Sequence, residues 1–452
     1  MIRIPQLGIS LFILLIMACN VENEEIVYKK VSISKSDVLH TEYQNYCRLL
    51  KLKEYSPSAV EHSFFGNHKT AELERKKTLG QRLEENTSNL QSQDVFENDE
   101  VIENEMLKIV STEDRASKRY KDALQVLKFI ESSRNPSAVF ENSKSLPALQ
   151  TIIEEAQNYH FALINEAHHS AQNRSFTTSL LKPLWNKGYR YLGLEALGYE
   201  APDINTLNYP LLSSGNYIRE TSFGNMIREA KRLGYKLITY ETNVSGEDGT
   251  SRDKTQARII YDKTLKQDTQ GKVLIHAGFG HISEVGDEKY TPMGYWLKEL
   301  AGQDILTIEQ ESMIEPIGKT LIEYASYVNK EFSLEKPLIV IDEKGDYIID
   351  PVNASGMDIQ VYHPRKFYKY GRPDWLITET NRIFKLPEDF LKFENYLVEI
   401  IPEGESPDAV PVDRFIINEE VNGVILPQGR FEMRLFSCEG KLKELYKIEV
   451  KI

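Results

Sequence analysis

The stretch FALINEAHHSAQNRSF, Phe161–Phe176, predicts a buried strand that ends in a group of ionisable side chains. Its apolar run, Phe161 to Ile164, has the length of a fully buried strand and no polar alternation. Glu166, His168 and His169 follow directly. The whole chain contains nine histidines, and two of them stand side by side here next to a carboxylate. We therefore expect the chemistry of the protein to lie at this point.

Short apolar segments alternate with amphipathic segments around this stretch, from Leu146 to Glu311. This alternation is typical of βα units, so the predicted fold class is α/β with a mostly parallel sheet. The predicted strands are 161–164, 189–194, 236–240, 272–276 and 305–308, and the predicted helices are 176–186, 225–233, 251–266 and 293–300. An all-helical fold would leave the shortness of the apolar runs unexplained.

Ionisable side chains follow each of these predicted strands. Ligands of open parallel sheets bind at the carboxyl ends of the strands, so we expect these side chains to meet at one edge. They are Glu166, His168 and His169 after the first strand, Glu195 after the second, Glu241 after the third, His276 and His281 at the fourth, and Glu309 and Glu311 after the fifth. Clustered titratable groups in a cleft are a signal for an active site.

We interpret this cluster as a catalytic site that activates water. Glu166 with His168 or His169 is expected to form the base, because a neighbouring carboxylate fixes the tautomer of a histidine and raises its basicity. Glu195 and His281 are expected to orient that base or to complete a metal site. The alternative for the first group is a plain helix start, where Glu166 complements the helix dipole and the histidines are merely exposed.

Three further residues are assigned to substrate binding, namely Arg174, Glu241 and His276. Arg174 either holds an anionic group of the substrate or pairs with Glu166. His276 lies inside an apolar run, so a buried histidine with satisfied hydrogen bonds is its alternative role. The sequence contains no Gly-x-Ser-x-Gly motif, Walker loop, dinucleotide-binding glycine motif or Cys-x-x-Cys. Serine-nucleophile, phosphoryl-transfer and nicotinamide chemistry therefore have little support.

The first residues of the chain predict export. Residues 1–18 have the features of a signal peptide, since Arg3 supplies a positive start and Leu7–Met17 is an apolar run too short to span a bilayer comfortably. Ile16–Cys19 resembles the bacterial lipobox, in which the cysteine is acylated. The expected location is the bacterial cell envelope, outside the cytoplasm, with a lipid anchor to the membrane at Cys19. An uncleaved anchor or an ordinary signal peptide is the alternative.

The length of the chain, 452 residues, predicts two or three domains. After the signal peptide we expect a helical N-terminal region (19–145), an α/β domain with covering loops (146–391) and a small antiparallel β module (392–452). The segment VYHPRKFYKYGRPDWL, 361–376, is either a binding loop over the functional edge of the sheet or a connection that only packs. Cys47 and Cys438 can form a disulfide bond in an oxidising compartment, or remain two buried thiols.

The formal net charge of −13 argues against a nucleic-acid partner, because phosphate binding needs a basic face that releases counterions. The expected partners are a small-molecule or peptide substrate and the membrane that holds the lipid anchor.

Three motifs of the sequence resemble the superfamily of erythromycin esterases and ChaN/Tiki-like proteins. They are Asn165–His169 after the first strand, LGLEAL with Glu195 after the second, and HAGFGH with His276 and His281 after the fourth. The resemblance covers 146–311 and implies an α/β core with a Gly-Glu-x-His or Gly-Glu-x-x-His motif and a later glutamate and histidine. His168 fits the shorter spacing and His169 the longer, while Asn165 stands where the family has glycine.

The resemblance implies two different activities. Erythromycin esterases use the histidine as a general base on water, and the Tiki branch is described as a metal-dependent peptidase. The expected function is therefore a surface lipoprotein with hydrolase activity on an ester or amide. ChaN is described as a haem-binding lipoprotein, so the alternative is a non-catalytic haem- or ligand-binding lipoprotein with histidines or Tyr240 as iron ligands. The cofactor is left open: it is either a divalent metal ion, such as zinc or manganese, or haem.

Overall fold

A computed structural model describes residues 25–31, 39–51, 58–71, 74, 98–112, 120–121, 123–124, 127–128, 136–242, 248–286, 290–314, 319–350 and 356–451. The predicted signal peptide and Cys19 lie outside these residues. In chain order the strands are β1 (Glu25–Val31), β2 (Lys144–Pro147), β3 (Phe161–Glu166), β4 (Tyr189–Leu194), β5 (Lys236–Thr239), β6 (Lys272–Gly278), β7 (Leu306–Glu309), β8 (Leu338–Ile341), β9 (Ile359–Gln360), β10 (Tyr368–Lys369), β11 (Arg372–Pro373), β12 (Asn381–Lys385), β13 (Leu397–Pro402), β14 (Asp413–Ile416), β15 (Gly423–Pro427), β16 (Gly429–Phe436) and β17 (Leu442–Lys451). Within the described ranges, no helix combines the length and hydropathy that a membrane crossing requires.

A six-stranded sheet with the strand order β5-β4-β6-β3-β7-β9 forms the centre of the fold. All of its pairings are parallel, whereas the other strand pairings of the described residues are antiparallel. The predicted α/β fold class is therefore confirmed, and parallel pairing is confined to this central sheet.

Helices cover both faces of the central sheet. Ala162 and Ile164 of β3 belong to the apolar core on one face, and Phe161 and Leu163 belong to the core on the other. Successive side chains of a strand point to opposite faces, which is why a strand buried on both sides is an unbroken apolar run. The helices are Thr41–Leu50, Ala59–Phe64, Asn98–Thr112, Pro136–Val139, Ala148–Glu155, Ala171–Asn186, Thr221–Leu233, Gly249–Lys263, Met293–Ala301 and Lys319–Glu331.

The helix after β3 begins earlier than its sequence pattern predicts, at Ala171 instead of Phe176. Its first turn is polar, yet Gln172, Asn173 and Arg174 are buried against the end of the sheet. An apolar periodicity cannot detect a turn whose buried positions are polar. This early start brings Arg174 to the carboxyl end of β3.

The C-terminal part forms a five-stranded antiparallel sheet with the order β1-β17-β16-β13-β14 and a two-stranded sheet of β12 and β15. The expectation of a wholly helical N-terminal region is wrong at Glu25–Val31, which is the edge strand β1. The small β module is also larger than predicted, because β12 begins at Asn381. Both differences come from pairing with strands that are distant in sequence, which a local pattern cannot reveal.

A disulfide bond joins Cys47, in the helix Thr41–Leu50, to Cys438, in the turn between β16 and β17. The two Cα atoms are 5.5 Å apart, and 391 positions separate the residues in sequence. The sequence left open whether Cys47 and Cys438 are bonded or are two buried thiols, and in the structure they are bonded. The bond ties the N-terminal helix to the C-terminal sheet.

Candidate active site

Ionisable side chains from five elements gather at the carboxyl ends of β3, β4 and β6. They are Glu166 at the end of β3, His168 after it, Glu195 after β4, Glu241 after β5, His281 in the single turn after β6, and Arg252 and Asp253 in the helix Gly249–Lys263. Hydrogen bonds join His168 to Glu166 and, in a second network, join Arg252 to Glu195, Glu241 and His281 and His281 to Asp253. The structure therefore brings together side chains from four of the five strand ends that the sequence placed at one edge, those of β3, β4, β5 and β6.

Glu166 is buried, with 2% of its surface exposed. Its carboxylate accepts hydrogen bonds from Nε and Nη2 of Arg174, at 2.7 and 2.9 Å, and lies 2.8 Å from Nε2 of His276. Burial alone would raise the pKa of Glu166, but the charges of Arg174 and His276 and hydrogen bonds from His168 and His276 bring this pKa well below its usual range. Glu166 is thus a fixed, ionised acceptor.

Arg174 is completely buried. Beyond Glu166, its guanidinium donates to Glu220 Oε2 at 3.3 Å and to the carbonyl oxygen of His168 at 2.7 Å. The predicted role in holding the substrate is therefore replaced by its alternative, pairing with Glu166, because the side chain points into the protein. It aligns the carboxylate and the backbone that carries His168.

His276 also lies in the interior rather than at the site surface. Its Nε2 faces Glu166 Oε2 and its Nδ1 lies 3.1 Å from the hydroxyl of Thr177. With both ring nitrogens engaged and 1% of the residue exposed, His276 takes its alternative role of a core histidine with satisfied hydrogen bonds. The predicted substrate contact is not supported by this position.

His168 is the histidine that faces the cluster. Its Nδ1 lies 3.0 Å from Glu166 Oε1, and 20% of its side chain is exposed. The ring stacks on Tyr217, with the centroids 4.1 Å apart, and meets the edge of Phe279 at 5.0 Å. Since an ionised Glu166 can only accept, Nδ1 donates in this contact.

Gly278 brings His168 and Glu195 together. Its amide donates to Glu195 Oε2 at 2.6 Å. A Cβ at this position would stand 2.8 Å from His168 Nε2 and 3.1 Å from Glu195 Oε2, so both atoms border the space that glycine leaves free. Phe279 follows with a φ of 45°, a left-handed backbone that is rare for an aromatic residue and common at functional sites.

A second pair of carboxylate and imidazole consists of Asp253 and His281. Nδ1 of His281 lies 2.7 Å from Asp253 Oδ2, which also accepts hydrogen bonds from the hydroxyl of Tyr290 and the amide of Met293. Burial lowers the pKa of His281, but the hydrogen bond to Asp253 and the charges of Glu195 and Asp253 outweigh it, so the net shift is upward. His281 therefore holds its proton more strongly than a free histidine.

Arg252 connects this second pair to Glu195 and Glu241, the residues after β4 and β5. Its Nη2 donates to Glu195 Oε1 at 2.8 Å and to Glu241 Oε2 at 2.5 Å, and its Nη1 is 3.3 Å from His281 Nε2. The side chain of Arg252 is 31% exposed. Glu241, predicted to bind substrate, thus orients the guanidinium.

Sequence reasoning missed Arg252, Asp253 and Tyr290. None of them follows a strand, and a charged face on a helix is ordinarily solvated. The available signal was the pair Arg252 and Asp253 in the segment that follows Glu241, on a helix predicted to border the functional edge.

The adjacent histidine, His169, lies elsewhere. It lines a small cavity of about 10 Å³ together with His68, Gln172, Lys366 and Trp375, among others. The doublet therefore divides, with His168 in the cluster at the strand ends and His169 beneath the segment 361–376.

Glu309, at the end of β7, serves the backbone. Its Oε1 accepts from the amides of Glu311 and Ser312 at 2.6 and 2.7 Å, and its Oε2 accepts from Gln360. These contacts close the turn after the strand, so this strand end does not contribute to the cluster around Glu195.

The donor set does not fit a divalent metal ion. No group of three or more His, Cys, Asp or Glu side chains in the described part of the chain is arranged to hold one. The guanidinium of Arg252 lies between Glu195 and Glu241, where a cation would have to bind. Two carboxylates that already neutralise a fixed cation are poor ligands for a second one.

Two of the suggested iron ligands, Tyr240 and His276, are not placed to bind haem. Tyr240 is fully buried, and its hydroxyl donates to the carbonyl oxygen of His276 at 3.3 Å. His276 itself is engaged at both ring nitrogens. Neither side chain can reach an iron without a rearrangement of the core.

No family model matches the chain, and no curated protein matches it. Among solved structures it is similar to the type III effector HopBA1, with 12% identity, 39% of this chain and 88% of that chain covered, and a TM-score of 0.28. It is also similar to RRSP, a MARTX toxin effector domain from Vibrio vulnificus CMCP6, with 13% identity and a TM-score of 0.23. The match covers 62% of this chain and 66% of that chain. A third similar structure is the C-terminal region of Pasteurella multocida toxin, described as having a thiol-protease-like catalytic triad, with 10% identity and a TM-score of 0.26. The match covers 76% of this chain and 53% of that chain. TM-scores this low support no inference about the fold or function of this chain.

Proposed function

We propose that the chain is a hydrolase in which His168 activates a water molecule that attacks an ester or amide. The observation that carries this proposal is the pair Glu166–His168. Glu166 holds Nδ1 of the imidazole at 3.0 Å and stays ionised, while Nε2 packs against Gly278 close to Glu195 and 20% of the His168 side chain remains exposed. General base catalysis needs a histidine whose tautomer is fixed on one side and whose other ring nitrogen is accessible to water, and the partly exposed His168 fits this requirement.

His281 supplies the acid in this scheme. Its upward-shifted pKa keeps the ring protonated at higher pH than an ordinary histidine, and its Nε2 lies 3.7 Å from Glu195 Oε1. In the acid form Nε2 carries a proton, so the hydrogen bond from Arg252 Nη1, which needs a lone pair on that nitrogen, is given up. That proton can then pass to the leaving oxygen or nitrogen of the substrate. Two histidines whose environments differ in this way have the separation of acid and base roles that hydrolysis requires.

Arg252 supplies fixed N–H donors for the transition state. Glu195 and Glu241 fix its guanidinium, so little reorganisation is needed when an oxyanion forms next to it. This role takes the place of the metal ion that the resemblance to the Tiki branch implies. Glu195, held by the amide of Gly278 and by Arg252, positions the water between the two histidines.

The experiment compares the two adjacent histidines. Purified His168→Gln and His169→Gln variants are assayed on p-nitrophenyl esters of two to eight carbons and on a mixed library of quenched fluorescent peptides. General base catalysis contributes roughly 10²- to 10⁴-fold, so His168→Gln should lose at least about 100-fold in kcat/KM, whereas His169→Gln should stay within severalfold. Equal activity of wild type and His168→Gln on every cleaved substrate would refute the assignment.

A lipid anchor at Cys19 is part of the proposal. Its support is the sequence Ile16–Cys19 and the apolar run before it. Mass spectrometry of the N-terminal peptide from bacterial membranes should show an acylated Cys19, and Cys19→Ala should release the protein into the soluble fraction. An unmodified Cys19 within a membrane-bound chain would disprove the anchor and leave the hydrolase proposal untouched.

A further inference from the structure

The segment that follows β9 carries an exposed aromatic and basic projection. We define the aromatic hairpin as Arg365–Pro373, which contains β10 and β11. Three of its side chains are exposed large hydrophobics, Phe367 at 68%, Tyr368 at 39% and Tyr370 at 38%. Single exposed apolar residues are normal, but a contiguous group marks an interaction surface.

The hairpin is rigid. Tyr370 and Gly371 have φ values of 50° and 71°, the pattern of a two-residue type I′ turn between β10 and β11. The amide of Asn422 donates to the carbonyl oxygen of Tyr370 at 3.1 Å. A Cβ at Gly371 would stand 2.4 Å from the carbonyl oxygen of Glu420, so the turn packs directly on the neighbouring loop. The exposed rings are therefore held in place before any partner arrives.

The base of the hairpin is fixed to two parts of the fold. Buried Arg372 donates to both carboxylate oxygens of Asp413, at 3.1 and 2.5 Å, which attaches it to β14. The hydroxyl of Ser175 donates to the carbonyl oxygen of Trp375 at 2.8 Å, which attaches the following residues to the helix that begins at the active-site edge.

The exposed charges of the hairpin are positive. Arg365 and Lys369 are exposed, and neither forms an ion pair with any residue of the described ranges. The ammonium of Lys369 lies 5.6 Å from the ring centre of Tyr370. The nearby carboxylate of Glu420 is paired with Lys69 at 3.4 Å. A chain with a net charge of −13 thus presents unpaired cations next to aromatic rings at one projecting point.

We propose that the aromatic hairpin docks on an anionic lipid bilayer. Aromatic rings partition into the region between headgroups and acyl chains, and lysine and arginine beside them bind anionic headgroups. The negative charge of the rest of the chain repels such a surface, so contact is limited to the hairpin. This docking orients the protein on a membrane and depends neither on the hydrolase activity nor on acylation of Cys19.

The experiment measures whether the aromatic hairpin itself inserts into a lipid bilayer. The full chain carries Cys19→Ser, so that no acyl group attaches there, and Phe367→Trp as a local fluorophore. Vesicles of phosphatidylglycerol with brominated acyl chains should quench the added Trp fluorescence, and vesicles of brominated phosphatidylcholine should do so at least about fivefold less well. A matched variant places the fluorophore at Leu149→Trp, another exposed position, which should not be quenched in either vesicle.

The charge contribution is tested by Arg365→Gln with Lys369→Gln in the Phe367→Trp chain. Each basic residue near an anionic surface contributes about fivefold to partitioning, so the double substitution should weaken binding about 25-fold with an unchanged circular dichroism melting curve. An unquenched Phe367→Trp chain, or equal quenching at Leu149→Trp, overturns the proposal. A fluorescence change with a soluble N-acetylhexosamine oligosaccharide but not with vesicles would identify the hairpin as a sugar platform and also overturn it.

Discussion

Arg174 donates two hydrogen bonds to Glu166, from Nε to Oε2 at 2.7 Å and from Nη2 to Oε1 at 2.9 Å. Both side chains are almost completely removed from solvent. The pair turns Glu166, the last residue of the buried strand β3, into a fixed anion, and this anion determines the tautomer of His168. The geometry of the proposed base therefore depends on a buried ion pair that is itself closed off from solvent.

Glu166→Gln should strongly destabilise the fold. It leaves the buried charge of Arg174 with Glu220 as its remaining carboxylate contact, and removal of one partner from a buried ion pair typically lowers the free energy of unfolding by about 3–5 kcal/mol. Urea denaturation at pH 7 measures this loss. Glu229→Gln, which breaks an exposed pair with Arg232, is the control and should change the value by less than about 1 kcal/mol. Similar small effects of both substitutions would contradict the prediction.

The same pair predicts the acid sensitivity of the protein. The folded pKa of Glu166 is depressed, so its contribution to stability is complete above the unfolded value of about 4.3 and is lost as the pH falls through the folded value. The stability difference between wild type and Glu166→Gln should therefore persist at pH 5 and shrink only in more acidic solution. Urea midpoints measured from pH 7 downward show this directly.

Asp253→Asn should move the alkaline limb of the activity profile to lower pH. Asp253 raises the pKa of His281 through a hydrogen bond and its charge, and a general acid loses activity as the pH rises through its pKa. The raised pKa also contributes stability below the unfolded value of about 6.5, which is lost as the pH rises through the folded value. The measurements are kcat/KM against pH and an NMR titration of the His281 ring. A lowered His281 pKa with an unmoved alkaline limb would assign the acid to another group.

Replacement of both bonded cysteines, Cys47→Ser with Cys438→Ser, should lower the free energy of unfolding by about 2–5 kcal/mol. The bond closes a loop that spans nearly the whole chain, so its removal enlarges the unfolded ensemble. Thermal unfolding with and without dithiothreitol provides the test. Reductant should lower the midpoint of the wild-type protein and leave that of the double variant unchanged, and an insensitive wild-type protein would contradict the prediction.

The sequence predicted those features of the fold and site that depend on local pattern. The strands of the central sheet are short apolar runs, and Glu166, Glu195 and His281 follow strand ends, so both could be found from spacing alone. The strand Glu25–Val31 could not, since its pairing with β17 depends on residues more than 400 positions away. The roles of these side chains in catalysis stay predictions.

The sequence also could not separate His168 from His169, or identify Arg252. Two adjacent residues in the turn after a strand point in different directions, and only the packing of Tyr217 and Phe279 around one ring shows which of them faces the site. Arg252 resembles any surface arginine until the helix is docked. Its role depends on carboxylates from two separate strand ends, Glu195 and Glu241.

Gly278→Ala should reduce activity while the fold remains intact. The added Cβ would stand 2.4 Å from Cε1 of His168, a distance that forces the imidazole away from Glu195. Displacement of a catalytic group by about 1 Å can cost up to about 100-fold in rate, so kcat/KM should fall at least tenfold. Gly280→Ala is the matched control, because a Cβ there meets no atom within 4 Å, and it should retain near wild-type activity. Thermal unfolding checks both variants, and full activity of a folded Gly278→Ala protein would show that the position of His168 beside Glu195 does not determine the reaction.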